Sequence, residues 1–314
     1  MNYAHSHYYI VLFFYYIIKT RITIIFLFLC LLIPGCDASK YTPNDRSFQG
    51  ERALDDVKYQ VGIGPRIPGS PTSEQVAQWI RSRLVDDGWN VSFQETTRMG
   101  HPIRNVIGKM GDGDPWVILG THYDTRLYAD KDPDVSKRNM PVPGANDGAS
   151  GVAVLLEFGR VYPFIHGESS WAGQVWLVFF DAEDNGNIEG WEWALGSQAF
   201  VESLESKPEA VVVVDMVGDA DLGIEYELNS DLSIAQEIWS QAHELGYSDA
   251  FIPVYGRALI DDHLPFILAD IPAVDIIDFE YPFHHTTADT TDKVAASSML
   301  TVGETLLAWL SITR

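Results

Sequence analysis

The residues best suited to chemistry in this 314-residue chain are histidines and acids placed just beyond short apolar runs. In Gly120-Thr121-His122-Tyr123-Asp124, His122 can offer one ring nitrogen to a metal while Asp124 accepts the proton of the other. A carboxylate behind an imidazole fixes its tautomer and raises its basicity. Alone, such a histidine is more often an ordinary buried polar residue. The glycine-rich turn Pro143-Gly144-Ala145-Asn146-Asp147-Gly148-Ala149-Ser150-Gly151 presents Asp147 before an apolar helical stretch. That carboxylate either caps the helix or bridges two metal ions. Phe179-Phe180-Asp181-Ala182-Glu183-Asp184 then sets two acids side by side. Neighbours on extended backbone point opposite ways, so one can hold metal while the other accepts a proton; the bland alternative is a solvated loop. Tyr281-Pro282-Phe283-His284-His285 supplies His285 as a second histidine ligand, with His284 beside it. Mixed nitrogen and oxygen donors suit zinc.

These segments need a scaffold that brings them to one edge. Strand-like runs occur at Asn90 to Glu95, Asn105 to Met110, Trp116 to Thr121, Val175 to Phe180, Ala210 to Val214 and Ala273 to Ile277. Helical patterns lie at Val76 to Leu84, Gly151 to Tyr162, Leu195 to Leu204, Ile234 to Leu245 and Ala296 to Leu310, the first with Thr72 and Gln75 spaced as a capping box. Strands alternating with helices predict a single α/β domain with a mixed, mostly parallel central sheet. Ligands in such sheets gather at the carboxyl ends of the strands, where His122, Glu183, Asp184 and Asp215 fall.

The first forty residues differ from the rest. Lys19 and Arg21 precede the apolar run Ile22 to Ile33, which reads as a secretory signal. It ends in Ile33-Pro34-Gly35-Cys36, similar to the lipobox of bacterial lipoproteins, so Cys36 is the expected lipidation and membrane-attachment point. A plain signal peptide or an uncleaved anchor is the alternative. The expected division is leader 1–36, linker 37–47 and domain 48–314, in an exported periplasmic or cell-surface protein. Both cysteines, Cys30 and Cys36, fall in the leader, so the domain carries no disulfide. With 21 Lys+Arg against 44 Asp+Glu, net −23, the surface repels nucleic acid. A monomer is expected.

The ordered segments His-Tyr-Asp-Thr from His122, Gly-Ala-Asn-Asp-Gly from Gly144, Asp-Ala-Glu-Asp from Asp181, Val-Asp-Met-Val-Gly from Val214, Asp-Asp-His from Asp261 and His-Thr-Thr-Ala-Asp-Thr from His285 resemble the family that joins zinc aminopeptidases and glutaminyl cyclases. The resemblance runs from about Gly64 to the C-terminus. It implies a three-layer α/β/α, zinc exopeptidase-like fold. It also implies metal ligands His122, Asp147, Asp184, Asp215 and His285 for one or two zinc ions, Glu183 as general base, and peptide or protein N-termini as substrates. Aminopeptidases of the family usually carry Glu where Asp184 stands.

Two reactions fit that scaffold, and fold does not choose between them. Asp261, in Asp261-Asp262-His263-Leu264-Pro265-Phe266, resembles a cyclase acid that joins a hydrogen-bonded network with the equivalent of Asp215. Trp191, in Gly190-Trp191-Glu192-Trp193, resembles the cyclase indole beside the substrate; its plain reading is a hydrophobic staple of the following helix. His284 stands where animal cyclases place a substrate-packing Trp. The leading expectation is a glutaminyl-peptide cyclotransferase, converting N-terminal glutamine to pyroglutamate with release of ammonia. A two-zinc aminopeptidase is the alternative. A catalytically silent binding lipoprotein would be expected to lose Glu183 first.

Overall fold

The computed structural model describes residues 46–166 and 173–312. The expected leader 1–36, lipidation at Cys36 and all of the linker before Arg46 lie outside the described residues.

Six strands form the main sheet in the order β1-β2-β4-β3-β5-β8, with β1 Asn90–Arg98, β2 His101–Met110, β3 Pro115–His122, β4 Gln174–Phe180, β5 Ala210–Asp215 and β8 Ala273–Ile277. β1 and β2 make an antiparallel pair, β2 meets β4 antiparallel, and β4, β3, β5 and β8 run parallel. The parallel strands read as near-continuous apolar runs because both faces are covered, as in Ala210–Asp215, which is buried along its whole length. β6 Ile224–Tyr226 and β7 Phe251–Tyr255 pair separately.

One face packs beneath α1 Gly50–Ile63, α2 Pro71–Asp86, α3 Ala149–His166, α5 Leu232–Glu244 and α7 Ala296–Ile312 around Val117, Leu119, Leu177, Val212 and Val274. The other carries the shorter α4 Leu195–Glu202 and α6 Leu264–Leu268, whose Phe200 and Phe266 meet Ile118, Val178, Phe180 and Val213. The mixed, mostly parallel sheet expected from the alternation of elements is observed, in the three-layer arrangement that the family resemblance implies.

The capping box was misplaced. Ser70 caps α2, its Oγ accepting from the Ser73 amide at 3.1 Å, with Pro71 in the first turn. Thr72 instead donates to the Pro65 carbonyl at 2.5 Å. Pro pre-set for the first helical position fits this better than the Thr72 spacing does. The sequence reading also passed over α1, α6, β6 and β7. The last three are only 5, 3 and 5 residues long, too short to show a period. The first residue of α1 is Gly50, where a Cβ would meet the Ala296 carbonyl of α7 at 2.1 Å.

Candidate active site

The strand ends converge as the parallel topology requires. His122 is the last residue of β3 and Asp215 the last of β5, while Glu183 and Asp184 follow β4. Asp147 lies on the turn before α3 and His285 on the loop between β8 and α7. Several of these turns adopt left-handed backbone at residues other than glycine: Ala182 (φ 57°), Met216 (φ 46°) and His285 (φ 59°). Such conformations cost about 1–3 kcal/mol each and persist where surrounding structure enforces them. Here they turn Glu183 and His285 into the cleft. Gly148 (φ +81°) permits the approach of Asp147, because a Cβ there would lie 2.9 Å from His122 Cε1 and 3.0 Å from the Asp124 carbonyl.

Asp147 sits at the centre. His122 Nε2 lies 3.2 Å from Asp147 Oδ1 and 3.0 Å from Asp215 Oδ1. On its other side, Asp147 Oδ2 is 3.7 Å from His285 Nε2 and 3.8 Å from His284 Nε2. His285 Nε2 meets Asp184 Oδ1 at 2.8 Å. Among the described residues, two groups therefore have donor atoms within 4.8 Å of one another, His122/Asp147/Asp215 and Asp147/His284/His285. Asp147 belongs to both, as a carboxylate bridging two cations would, and Asp184 joins through His285. His284, expected as a wall against substrate, stands among the possible donors.

The donors fit a cation on two counts. Asp147 Oδ2 and Asp184 Oδ2 are buried with no hydrogen-bond partner, a cost that a bound cation removes. Burial, with the neighbouring charges of Arg126 and Lys131, pushes the His285 imidazole down to about 3, although Asp147 opposes it. Burial and the adjacent His285 do the same to His284. Both rings are thus neutral with lone pairs to donate. Burial and the Asp147 charge push the Asp184 carboxyl well above its ordinary range; a cation between them would reverse that sign.

Asp124 anchors the constellation from behind. Its Oδ1 lies 3.3 Å from His122 Nδ1 and accepts from the Glu183 amide at 3.0 Å, while Oδ2 accepts from the Asp184 amide at 3.3 Å. One carboxylate thus sets the His122 tautomer and the positions of both acids after β4. Residues without an assigned role in the sequence reading complete the frame. Asp289 accepts from the Asn146 and Asp147 amides at 2.8 and 3.2 Å and from the Tyr281 hydroxyl at 2.7 Å. The buried Arg66 guanidinium donates to the carbonyls of Tyr123, Pro143 and Gly144 at 3.1, 2.7 and 2.7 Å. Asp289 lies inside the motif that begins at His285, so its signal was present without the contact that explains it, and Arg66 follows closely on Gly64, where the resemblance begins.

The cleft above these groups holds about 310 Å³ and is lined by Glu183, Asp261, Trp193, Arg126, Ile260 and Phe279 as well as the possible ligands. Burial first, then the charge of Asp261, drives the Glu183 carboxyl well above its ordinary range. Burial likewise pushes Asp215 up to about 7 against the pull of His122. Trp191 does not line the cleft. It stacks on His101 at 3.5 Å between centroids and packs against Ile103, Ala182 and Leu195. Trp193 takes that place, parallel to the His285 ring at 6.1 Å and beneath the Arg126 guanidinium at 5.2 Å. Its approach depends on Gly186, where a Cβ would sit 2.1 Å from the indole.

Residues 105–310 match peptidase family M28. A Zn-dependent exopeptidase from Parabacteroides distasonis is 31% identical and superposes with a TM-score of 0.76, over 83% of this chain and 97% of that one. A glutaminyl cyclase from Tannerella forsythia is 31% identical with a TM-score of 0.78, over 85% of this chain and 100% of that one. A leucine aminopeptidase precursor from Bacteroides thetaiotaomicron is 30% identical with a TM-score of 0.78, over 85% and 98%.

Proposed function

Because the chain belongs to peptidase family M28, we propose that it is a zinc-dependent glutaminyl-peptide cyclotransferase, acting on peptides that begin with glutamine. The observation that carries this reading is the pairing of two buried acids, Glu183 and Asp261, on the wall of one cleft, with Asp261 the foremost charge raising the Glu183 carboxyl. A carboxyl raised by burial and a like-charged neighbour is matched to shuttling a proton at neutral pH.

His122, Asp147, Asp184, Asp215 and His285 would hold the zinc, which supplies Lewis-acid polarisation of the γ-carboxamide carbonyl when bound. Glu183 takes a proton from the substrate α-amine as its nitrogen bonds to the carbonyl carbon of the γ-carboxamide, Cδ. It returns that proton to the amide nitrogen as the C–N bond breaks and ammonia leaves. Asp261 raises the basicity of Glu183 through its charge. Trp193 provides an aromatic face against which the glutamine side chain lies, and Ile260 and Phe279 add apolar surface to the cleft wall.

A second reading, a two-metal aminopeptidase, is favoured by the two donor groups that share Asp147. There Glu183 would deprotonate a water for attack on the first peptide bond. The deciding experiment incubates zinc-loaded protein with a Gln-initiated and a Leu-initiated peptide and follows ammonia and free amino acid separately. Ammonia with pyroglutamate from the first peptide is the expected result; leucine released without pyroglutamate refutes the cyclase reading.

A further inference from the structure

Beyond the cleft, a second cavity of about 400 Å³ runs between α4 and α6. The two share Trp193, Ile260 and Asp261, so the cavity adjoins the catalytic chamber. Val201, Leu264, Pro265 and Leu268 give its lining an apolar stretch. Leu268 is 78% exposed and Ile260 60%, large apolar side chains that face solvent at the mouth of a site. Exposed apolar surface continuous with a polar chamber is the form a side-chain subsite takes. On the opposite side, the cavity that shares Leu259, Ile277 and Phe279 with the chamber holds only about 20 Å³, room for about one water. A peptide whose first residue fills the chamber therefore has one roomy way out among these cavities, past Trp193 and over α6.

We propose that this groove is the subsite for the second residue of the substrate and that it selects a large apolar side chain there. Gln198 holds the partition between chamber and groove, its Nε2 donating to the Trp193 carbonyl at 2.8 Å. Glu202 at the rim is paired with Arg98, which lessens its repulsion of an apolar guest. The inference rests on the reading that peptide N-termini are the substrates, and it holds for either reaction.

The test is a series of Gln-X and Leu-X peptides with X as Gly, Leu, Phe and Asp, assayed on zinc-loaded wild type, Leu268→Asp and Leu245→Asp. Leu245 is a remote exposed leucine at the end of α5 and serves as the control. An open apolar subsite belongs at the low end of hydrophobic discrimination, so kcat/KM for X as Leu or Phe exceeds that for Gly roughly tenfold. In Leu268→Asp that ratio falls to about one, and in Leu245→Asp it stays. A ratio near one in wild type, or an undiminished ratio in Leu268→Asp, overturns the proposal. If leucine release replaces pyroglutamate formation, the cyclase reading fails while the same ratio still decides the subsite. If neither product forms, calorimetric titration of the same peptides gives the ratio of Kd values and decides it equally. A Leu268→Asp change that alters sedimentation but not the ratio marks the groove as a self-association surface and also overturns the proposal.

Discussion

Replacing Asp124 by asparagine separates the role of one carboxylate from the ligands it positions. In the folded chain Asp124 accepts from His122 Nδ1 (3.3 Å), the Glu183 amide (3.0 Å), the Asp184 amide (3.3 Å) and Asn185 Nδ2 (3.4 Å). Asparagine keeps the shape but turns one acceptor oxygen into a donor nitrogen. Whichever side it occupies, two buried donors lose their acceptor. At about 1–3 kcal/mol for each orphaned donor, Asp124→Asn loses about 2–6 kcal/mol of stability in the zinc-free protein. The charge behind His122 also disappears, and removal of such a partner typically lowers metal affinity about 10–100-fold. Urea denaturation of the zinc-free protein measures the first effect and competition with a chelator the second. A variant with both the wild-type midpoint and the wild-type zinc affinity would show that Asp124 neither supports the acid pair nor orients His122.

Glu183→Gln lowers turnover about 10²–10⁴-fold with zinc content unchanged by metal analysis; loss of zinc instead would recast Glu183 as a ligand. Trp193→Ala removes the indole between His285 and Arg126, and at about 1.5 kcal/mol for a lost aromatic contact KM rises roughly tenfold, whereas Trp191→Ala leaves KM unchanged; steady-state kinetics of the two variants tests the placement of both indoles. Away from the site, burial lifts the Asp56 carboxyl from 3.8 to about 6 despite its pairing with Arg83. A folded pKa above the unfolded one means stability present below about 3.8 and lost as pH rises through about 6. The difference in unfolding free energy between wild type and Asp56→Asn therefore moves toward wild type by about 2 kcal/mol on going from pH 7 to pH 4, and a difference that is flat with pH removes the assignment.

Much of the site was legible because its residues are local to strand ends. His122 with Asp124, and Glu183 with Asp184, sit within a few residues of an apolar run whose direction and termination are sequence properties. The acid at the end of β5 and the histidine pair near the C-terminus followed from ordered motifs. Trp193 was harder: Trp191 and Trp193 lie two apart in one loop, and tertiary contacts separate them, His101 stacking on the first indole and Gly186 packing against the second. The Ser70 cap was missed because Thr72 offers the same hydroxyl chemistry two residues later, and the Pro65 carbonyl that claims it is distant along the chain.

The sequence by itself determined the α/β alternation, the strand-end clustering of donors and the chemical types available for a metal and a base, since these depend on periodicity and on residues near one another along the chain. Tertiary structure alone decided that Asp147 stands between two donor groups, that His284 belongs with them, that Asp289 and Arg66 hold the Asp147 turn, and that an apolar groove leaves the chamber over α6. Each of these is a contact between segments tens of residues or more apart. The direction in which a side chain points there is set by packing and by left-handed turns such as those at Ala182 and His285, which no local pattern encodes.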